Sequence, residues 1–319
     1  MPIDDDLAKY SDLAFESAFT VYVLAVLLLI GQYASYKAKK AQAEELVAAG
    51  SVATRSGPGR IVDAPKKPLS ERLGNMGASV LLVGVALHIA SIVLRGFATD
   101  RFPLGNMYEF VTMATAAAVV VGIVFLRGQK YRSLWVFLLV PVLILMFLAA
   151  TVLYADAAPV VPALRSYWLP IHVTIVSIGS GVFMVAGVAS LLFLLRMRYP
   201  EGATGFLGGL AQRLPDARTL DRLAYKTTII GFPLFGAGVI LGAIWAEAAW
   251  GRFWGWDPKE TMSFIAWVVY AAYLHARATS GWRDTKAAWI NVVGFVAMLF
   301  NLFIINMVVS GLHSYAGLN

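Results

Sequence analysis

Residues 133–153 read SLWVFLLVPVLILMFLAATVL and contain no charged side chain. An α-helix of about 20 residues spans the roughly 30 Å hydrocarbon core of a bilayer, so this stretch is typical of a transmembrane helix. Similar blocks recur along the 319-residue chain, in which 59% of the side chains are hydrophobic, 14% are charged and the mean hydropathy is +0.70. Soluble domains carry roughly 25% charged residues. The sequence therefore predicts an all-α polytopic membrane protein and excludes a soluble domain, a disordered chain and a nucleic-acid-binding domain.

Eight apolar segments are long enough to cross the membrane, and an even number places both termini on one side. We predict transmembrane helices at residues 17–36, 77–95, 106–126, 133–153, 168–195, 227–247, 260–278 and 286–308. The loops on one side, within 37–72, 127–132, 196–226 and 277–286, hold 20 of the 26 Lys and Arg residues. Because cytoplasmic loops are enriched in Lys and Arg, both termini are predicted to be extracytoplasmic. This asymmetry also explains the net charge of +7 without an anionic partner.

The apolar segments divide the chain into three parts. Residues 1–36 form an N-terminal region with the first transmembrane helix, residues 37–72 form a cytoplasmic linker rich in Ala, Gly, Pro and Lys, and residues 73–319 form one membrane domain. The chain contains no cysteine, which excludes thiol catalysis, Cys-ligated zinc, iron–sulfur clusters and disulfides. A metal or cofactor must therefore be held by His, carboxylate or Met side chains.

The outer segment Trp245–Glu260 reads WAEAAWGRFWGWDPKE and contains four Trp residues. Tryptophan is enriched at membrane interfaces, so an interfacial belt is one interpretation. Its last residues, with Asp257 as N-cap and Glu260 three positions later, also predict a helix start with a capping box. Neither interpretation explains why Gly251 and Gly255 separate the indoles, an arrangement that lets the backbone approach a flat ligand. Composition leaves open both a belt and a platform for a planar cofactor.

The four histidines are predicted at different depths. His172 and His313 lie at the outer ends of the fifth and eighth predicted helices, whereas His275 lies about 22 Å deeper, near the cytoplasmic end of the seventh. His88 lies near the middle of the second. A single His in a helix usually makes a packing hydrogen bond, but two outer imidazoles beside indoles could ligate one haem iron axially. Both interpretations stay open for His172 and His313.

Two further outer features have simple structural interpretations. Asn106 and Glu109 predict the N-cap and the third position of a helix start. Four outer arginines could pair with haem propionates or with lipid headgroups, and the sequence does not rank them: Arg95, Arg101, Arg165 and Arg252.

The letters WGRFWGWDPKE at residues 250–260 resemble the tryptophan-rich WGxxWxWDPKE signature, the WWD motif, of haem-handling proteins of cytochrome c maturation. Within that superfamily, the eight spans, the NMYE segment at 106–109, the LHAR segment at 274–277 and the terminal Leu-His-Ser-Tyr resemble the CcsA/ResC family of system II cytochrome c biogenesis. The resemblance covers most of the chain. It implies that 73–319 is a haem-handling domain in the cytoplasmic (inner) membrane, with its active face extracytoplasmic.

The resemblance also implies a site for haem b. The residues that it places at haem are the outer iron ligands His172 and His313, the loop residues Trp250, Trp254, Trp256 and Asp257, and the inner ligand His275. A CcsB/ResB-like membrane subunit would supply the companion ligand of His275. The other implied partners are apocytochrome c and, indirectly, a thiol-reducing thioredoxin-like protein.

The implied function is haem delivery by a subunit of a system II cytochrome c synthase, in which two Cys thiols of a Cys-x-x-Cys-His segment add across the haem vinyl groups. No residue is assigned to catalysis separately from haem binding, since orientation and axial ligation supply most of what this addition needs. The alternatives are a system I-type haem delivery protein, an intramembrane electron-transfer cytochrome, and a transporter or assembly factor whose Trp segment is an interfacial belt. Four histidines at these depths do not supply the two pairs that a two-haem cytochrome requires.

Overall fold

The structure, a computed structural model, describes residues 3–48, 68–128, 131–160 and 162–313. These residues form nine α-helices and a short 3₁₀ turn, and they contain no β-strand. The helices are α1 (Asp5–Ala48), α2 (Leu69–Thr99), α3 (Met107–Phe125), α4 (Arg132–Thr151), α5 (Trp168–Arg198), α6 (Gly205–Ala211), α7 (Ala217–Trp250), α8 (Pro258–Ala278) and α9 (Thr285–Met307). The predicted all-α polytopic fold is therefore confirmed.

Seven of the described helices are long and apolar enough to cross a membrane, namely α1 to α5, α7 and α9. Helix α8 is 21 residues long, but its Trp, Tyr, His and Arg side chains lower its hydropathy. It nevertheless extends between both ends of the bundle. Arg277 near its C-terminus pairs with Asp221 near the start of α7 (2.8 Å), and Asp257 at its N-terminus contacts His313 beyond α9 (2.8 Å). Eight helices thus run across the bundle.

Both described ends of the chain lie at one end of this bundle, which we call the cavity end. The N–H of Asp4 donates to the carbonyl of Ala98 at the end of α2 (3.0 Å). Asn106, at the start of α3, and His313, beyond α9, line a single cavity there. An even number of crossings accounts for this arrangement. That the cavity end faces away from the cytoplasm stays a prediction.

Helices extend into both edges of the predicted linker at 37–72. Helix α1 continues to Ala48 and α2 already begins at Leu69. The middle of the predicted linker, residues 49–67, lies outside the described residues. Hydropathy detects the apolar part of a helix, whereas backbone hydrogen bonding continues through charged turns beyond it.

Helix α7 is also longer than the predicted span at 227–247. It begins at Ala217, where Asp216 acts as N-cap and accepts from the N–H of Thr219 (2.8 Å). It ends at Trp250, so it includes the first part of the Trp-rich segment. The Trp residues are therefore divided between a helix and a loop.

Helix α5 is central and packs against α3, α7 and α9. Gly181 permits the close approach of α3, because a Cβ at this position would lie 2.7 Å from the backbone nitrogen of Ala118. Small residues at helix contacts are typical of membrane bundles, where they let backbones approach. This packing fixes the position of His172, which α5 carries at the cavity end.

Candidate functional site

A large cavity lies at the cavity end between α3, α5, α7, α8 and α9. It contains about 1390 Å³ of space that no atom occupies, part of it open to the outside. Most of its lining is apolar. The polar residues of the lining include Asn106, His172, Ser180, Lys259, Glu260, Ser263, Asn301, Asn306 and His313. An apolar cavity with a few converging polar groups is typical of a site for a large, mostly apolar ligand.

His172 enters the cavity from the second turn of α5. Its Nδ1 atom lies 2.8 Å from the carbonyl oxygen of Gly238 in α7. The ring fits against α7 because Gly242 has no side chain, since a Cβ there would lie 2.7 Å from Cε1 of the imidazole. The imidazole lies nearly parallel to the indole of Trp245, with the ring centroids 6.0 Å apart. Two glycines and one Trp of α7 thus form the slot that orients His172.

His313 reaches the cavity from the segment that follows α9. Its Nδ1 atom lies 2.8 Å from Oδ1 of Asp257, and the N–H of Leu312 donates to Oδ2 of the same carboxylate (2.7 Å). Gly311 lets the backbone cross this carboxylate, because a Cβ there would lie 2.7 Å from Oδ2. Asp257 therefore holds the segment with both of its oxygens.

The Asp257 carboxylate is held in its ionised form. Burial alone would raise the pKa of this carboxyl, but hydrogen bonds from His313 and from the N–H groups of Leu312 and Lys259 outweigh burial and lower the pKa to about 2. An ionised carboxylate can only accept hydrogen bonds. Neutral His313 must therefore carry its proton on Nδ1 and its lone pair on Nε2.

His172 and His313 share one arrangement. In each, Nδ1 faces an oxygen that only accepts, the carbonyl of Gly238 for His172 and the carboxylate of Asp257 for His313. Metal-ligating histidines usually donate their second ring N–H to a carboxylate or a backbone carbonyl in this way, which fixes the tautomer and the ring orientation. Both rings line the same cavity. The side chains present therefore fit two axial imidazoles of one haem iron.

Trp245 is a site residue that the sequence did not single out. Its indole is 1% exposed, and its centroid lies 6.0 Å from that of His172 and 5.8 Å from that of His313. Gly238, Gly242 and Trp245 are four and three positions apart, a spacing that places them on one face of α7. That spacing is the signal that sequence reasoning could have used.

The expected loop at 245–260 is shorter in the structure, because α7 ends at Trp250 and α8 begins at Pro258. From the last turn of α7, Trp250 packs edge-on against Trp245 (4.7 Å between centroids) and His313 (5.0 Å). The first Trp of the motif is thus placed beside one of the candidate ligands by a helix and not by a loop.

The other two Trp residues of the motif have different surroundings. Trp254 lines the cavity. Trp256 is 69% exposed, has a positive φ of 57° and packs edge-on against Trp254, with the centroids 5.8 Å apart. Trp256 is not part of the cavity lining, so the structure brings Trp250 and Trp254 towards the site and leaves Trp256 on its outer side.

Glu260 holds the loop between α7 and α8 in shape. Its carboxylate accepts from the N–H groups of Gly255 (2.9 Å) and Asp257 (3.1 Å) and pairs with Arg252 (3.0 Å). Asp257 in turn accepts from the N–H of Lys259 (3.1 Å). The predicted capping box is therefore confirmed. It fixes the residue that anchors His313.

Three of the four arginines that were predicted on the outer side pair with carboxylates of the protein. Arg95 and Arg101 share Glu109, at 3.1 and 2.8 Å, and Arg252 pairs with Glu260. Guanidinium groups engaged in this way are poor candidates for a ligand carboxylate, because binding would require an existing ion pair to break.

The start of α3 is tied to these ion pairs. Asn106 caps the helix as predicted and accepts from the N–H of Glu109 (2.9 Å). The Glu109 carboxylate accepts from the N–H of Gly105 (2.6 Å) and not from that of Asn106, so the second half of the predicted box is displaced by one residue. Gly105 and Asn106 line the cavity, and the ion pairs thereby fix one of its walls.

The remaining two histidines do not line the cavity. His275 is exposed in the last turn of α8, about 24 Å along the helix from Lys259. His88 is buried, with Nδ1 3.4 Å from the hydroxyl of Tyr22 and its ring edge-on to Phe15. In the part of the chain that the structure describes, His172 and His313 are the two histidines that share a site.

Known proteins place the chain in one family. The family model described as cytochrome C assembly protein matches residues 104–313, which include the cavity and both outer histidines. The chain is 32% identical over 303 residues to the cytochrome c biogenesis protein CcsA of Gloeobacter violaceus, covering 79% of this chain and 88% of that protein. It is 33% identical over 250 residues to CcsA of Chlamydomonas reinhardtii, covering 76% of this chain and 68% of that protein.

Among solved structures, the chain is similar to one described as cytochrome c heme lyase CcmF. The TM-score is 0.63 at 15% sequence identity. The match covers 100% of this chain and 49% of that structure, so the chain spans about half of its length. At this identity the similarity shows a common fold and does not transfer an activity.

Proposed function

The chain belongs to the CcsA family of cytochrome c biogenesis proteins. We propose that it is a subunit of a system II cytochrome c synthase, which binds haem b and delivers it at the extracytoplasmic face of the cytoplasmic membrane. It is a multi-pass membrane protein, and its family takes part in a cytochrome c synthesis system that acts on apocytochrome c. Assembly of a cytochrome c requires haem, so membership of this family supports haem handling.

The observation that carries this proposal is the matched anchoring of His172 and His313. Each imidazole has Nδ1 bound to an acceptor and lines the same apolar cavity. A packing role alone would not require both imidazoles to adopt the tautomer that carries its lone pair on Nε2. His172 of α5 and His313 of the segment that follows α9 would hold the haem iron between them.

The reaction we assign to the complex is the addition of two Cys thiols of apocytochrome c to the two vinyl groups of haem. In each addition a C–S bond forms at one vinyl carbon and the thiol hydrogen is transferred to the other. The chain's own residues orient the haem through His172 and His313, while Trp245 and Trp254, which line the cavity, cover it and exclude water. Orientation of this kind converts a bimolecular addition into an effectively intramolecular one.

Within the Trp-rich segment we assign different tasks to the predicted haem-contacting residues. Trp254 contacts the ligand directly, because it lines the cavity. Trp250 acts through His313, against which it packs, and Asp257 orients His313. Trp256 supports Trp254 from the exposed side. Because it faces outward, Trp256 is also a residue of the motif that an approaching apocytochrome c can contact.

We assign His275 to the entry of haem at the opposite end of the bundle. Its exposure in the last turn of α8 supports a site completed by another chain, because an imidazole on the surface is accessible to a partner. A CcsB/ResB-like membrane subunit is the partner we propose, with a thioredoxin-like reductant acting indirectly on apocytochrome c. Haem would then move from His275 to the outer cavity within the domain at 73–319.

The electron-transfer alternative has less support. It requires a second pair of histidines, and His88 packs against Tyr22 and Phe15 away from the other described histidines. A system I-type delivery protein shares the fold, as the similarity to CcmF indicates, but the relatives over most of the chain are CcsA proteins.

The test is maturation of a reporter cytochrome c in bacteria that lack their own maturation system and co-express this chain with a CcsB/ResB-like partner. His172→Ala and His313→Ala are each expected to abolish holocytochrome formation and to alter the haem spectrum of the purified complex. Joint replacement of Trp250, Trp254 and Trp256 by Ala is expected to weaken haem retention, whereas Trp289→Ala on the exposed face of α9 is the control. Normal maturation without both outer histidines would contradict the proposal.

A further inference from the structure

One wall of the cavity is polar. It is formed by α8 and α9, which contribute Lys259, Ser263, Asn301 and Asn306, whereas α3, α5 and α7 contribute mainly apolar side chains. Lys259 and Ser263 are four positions apart, so they lie on one face of α8. None of these four residues was singled out by the sequence patterns. We call them the polar wall.

Lys259 is the cation of the polar wall. Its ammonium donates to the backbone carbonyl of Asn301 (3.1 Å). An ammonium group has three N–H donors, and Lys259 lines the cavity. Lys259 also donates its backbone N–H to Oδ1 of Asp257, the oxygen that His313 contacts. A candidate iron ligand and this cation are therefore positioned by the same carboxylate.

Asn301 and Ser263 have unused hydrogen-bonding capacity at the same place. Nδ2 of Asn301 donates to Oγ of Ser263 (2.8 Å), while Oδ1, in a residue only 5% exposed, has no partner among the described residues. Turning the amide over would let Ser263 donate to Oδ1 and would release the two N–H groups of Asn301. In either orientation a donor, the Ser263 hydroxyl or the Asn301 amide, is available for an acceptor in the cavity.

A partly buried cation with neighbouring donors is stabilised by a further anion, because withdrawing a charge from water is costly. The arginines at the cavity end do not compete well for that anion. Arg95 and Arg101 are already paired with Glu109, and Arg252 is paired with Glu260. Arg165 is exposed on the 3₁₀ turn outside the cavity lining.

We propose that the polar wall binds a carboxylate of the ligand, with Lys259 supplying the charge and Ser263 and Asn301 supplying hydrogen bonds. The inference rests on the proposed function, under which that carboxylate is a haem propionate. Carboxylate binding on α8 and α9 fixes the rotation of the porphyrin about the axis through His172 and His313. The propionate edge points to the polar wall, and the vinyl edge points away from it.

The test compares haem with haem dimethyl ester, in which both carboxylates are blocked. Binding is measured by absorption titration of the full complex in nanodiscs. The wild-type complex is expected to prefer haem over the ester by about tenfold or more, as charge-assisted hydrogen bonds to a buried group require. Lys259→Met is expected to reduce that preference to about twofold with an unchanged spectrum of axial ligation, and Lys259→Arg is expected to keep it.

Two further variants make the result decisive. Ser263→Ala retains the contact of Lys259 with Asn301 and is expected to lower the preference by about threefold, so it tests the wall even if Lys259→Met does not fold. Lys226→Met, an exposed lysine of α7, is the matched control and is expected to behave as wild type. An unchanged preference in Lys259→Met and in Ser263→Ala, or equal affinity of wild type for both porphyrins, would overturn the inference. Failure of wild type to bind either porphyrin would instead overturn the proposed function.

Discussion

His313 and Asp257 lie 56 positions apart in the sequence, yet Nδ1 of the imidazole is 2.8 Å from Oδ1 of the carboxylate. This contact connects the segment beyond α9 to the N-cap of α8. It gives Asp257 two tasks, because the same side chain starts a helix and selects the tautomer of a candidate iron ligand. Asp257 is thus a structural and a chemical element at once.

Asp257→Asn is expected to lower haem affinity by about 10- to 100-fold, because the amide no longer fixes His313 as a carboxylate does. Asn is a good N-cap, so α8 should persist. Haem titration of the purified complex measures the loss. Asp216→Asn is the matched control, since Asp216 caps α7 at the other end of the bundle. Equal haem affinity in the two variants would show that Asp257 acts as a cap alone.

The contact between Asp257 and the segment beyond α9 is expected to survive moderate acidity. The pKa of Asp257 in the folded protein, about 2, lies below its ordinary value of 3.8. A lowered carboxyl pKa stabilises the fold fully above pH 4, and this stabilisation is lost as the pH falls through 2.

Spin labels can follow this titration because the chain has no native cysteine. With labels at Glu247→Cys and Ser310→Cys, the distance distribution in nanodiscs should be constant from pH 7 to pH 4 and broaden below. In an added Asp257→Asn background it should be broad at pH 7. Broadening that begins between pH 6 and pH 5 would contradict the carboxylate's part in this contact.

Gly242→Ala is expected to displace His172, because the added Cβ would lie 2.7 Å from Cε1 of its ring. Haem retention should fall at least tenfold while the complex still accumulates in the membrane. Gly209→Ala in α6 makes the same chemical change where no atom lies within 4 Å, and it should retain haem as wild type does. Similar retention in both variants would mean that the slot in α7 does not position His172.

Glu260→Gln is expected to destabilise the loop between α7 and α8, since its carboxylate accepts from two backbone N–H groups and pairs with Arg252. We expect a loss of about 1–3 kcal/mol in the free energy of unfolding, measured by SDS titration. Glu201→Gln also removes an ion pair, with Arg196, but this carboxylate is exposed and its loss should have no measurable effect. Equal stability of both variants would remove Glu260 from this account.

Much of the fold could be predicted from the sequence, because lipid solvation leaves a direct signature in apolar segments. The helix around 133–153 is an example, and the capping residues Asn106 and Asp257 were identified from spacing rules. The length of α1 and the start of α7 could not be predicted, because charged turns continue a helix without an apolar signal. In helix α8 the apolar signal is weak for a different reason. Its polar and aromatic residues lower its mean hydropathy, and some of them line the cavity.

The candidate site was predictable only in part. The pairing of His172 with His313 followed from their shared side of the membrane, but Asp257 as the anchor of His313 depends on a contact between distant segments. Trp245 was hidden because a buried Trp in a helix looks like core, and the motif does not reveal that Trp256 is an indole that faces outward. Sequence position alone does not determine these orientations.

The most direct test of the central claim is the axial ligation of haem in the purified complex, read by electron paramagnetic resonance of the ferric state. The account predicts a low-spin signal with two imidazole ligands in wild type. His172→Gly and His313→Gly should each lose this signal and regain it when free imidazole is added, whereas His275→Gly should keep it at the outer site. A wild-type bis-imidazole signal that persists in both outer variants would contradict the account.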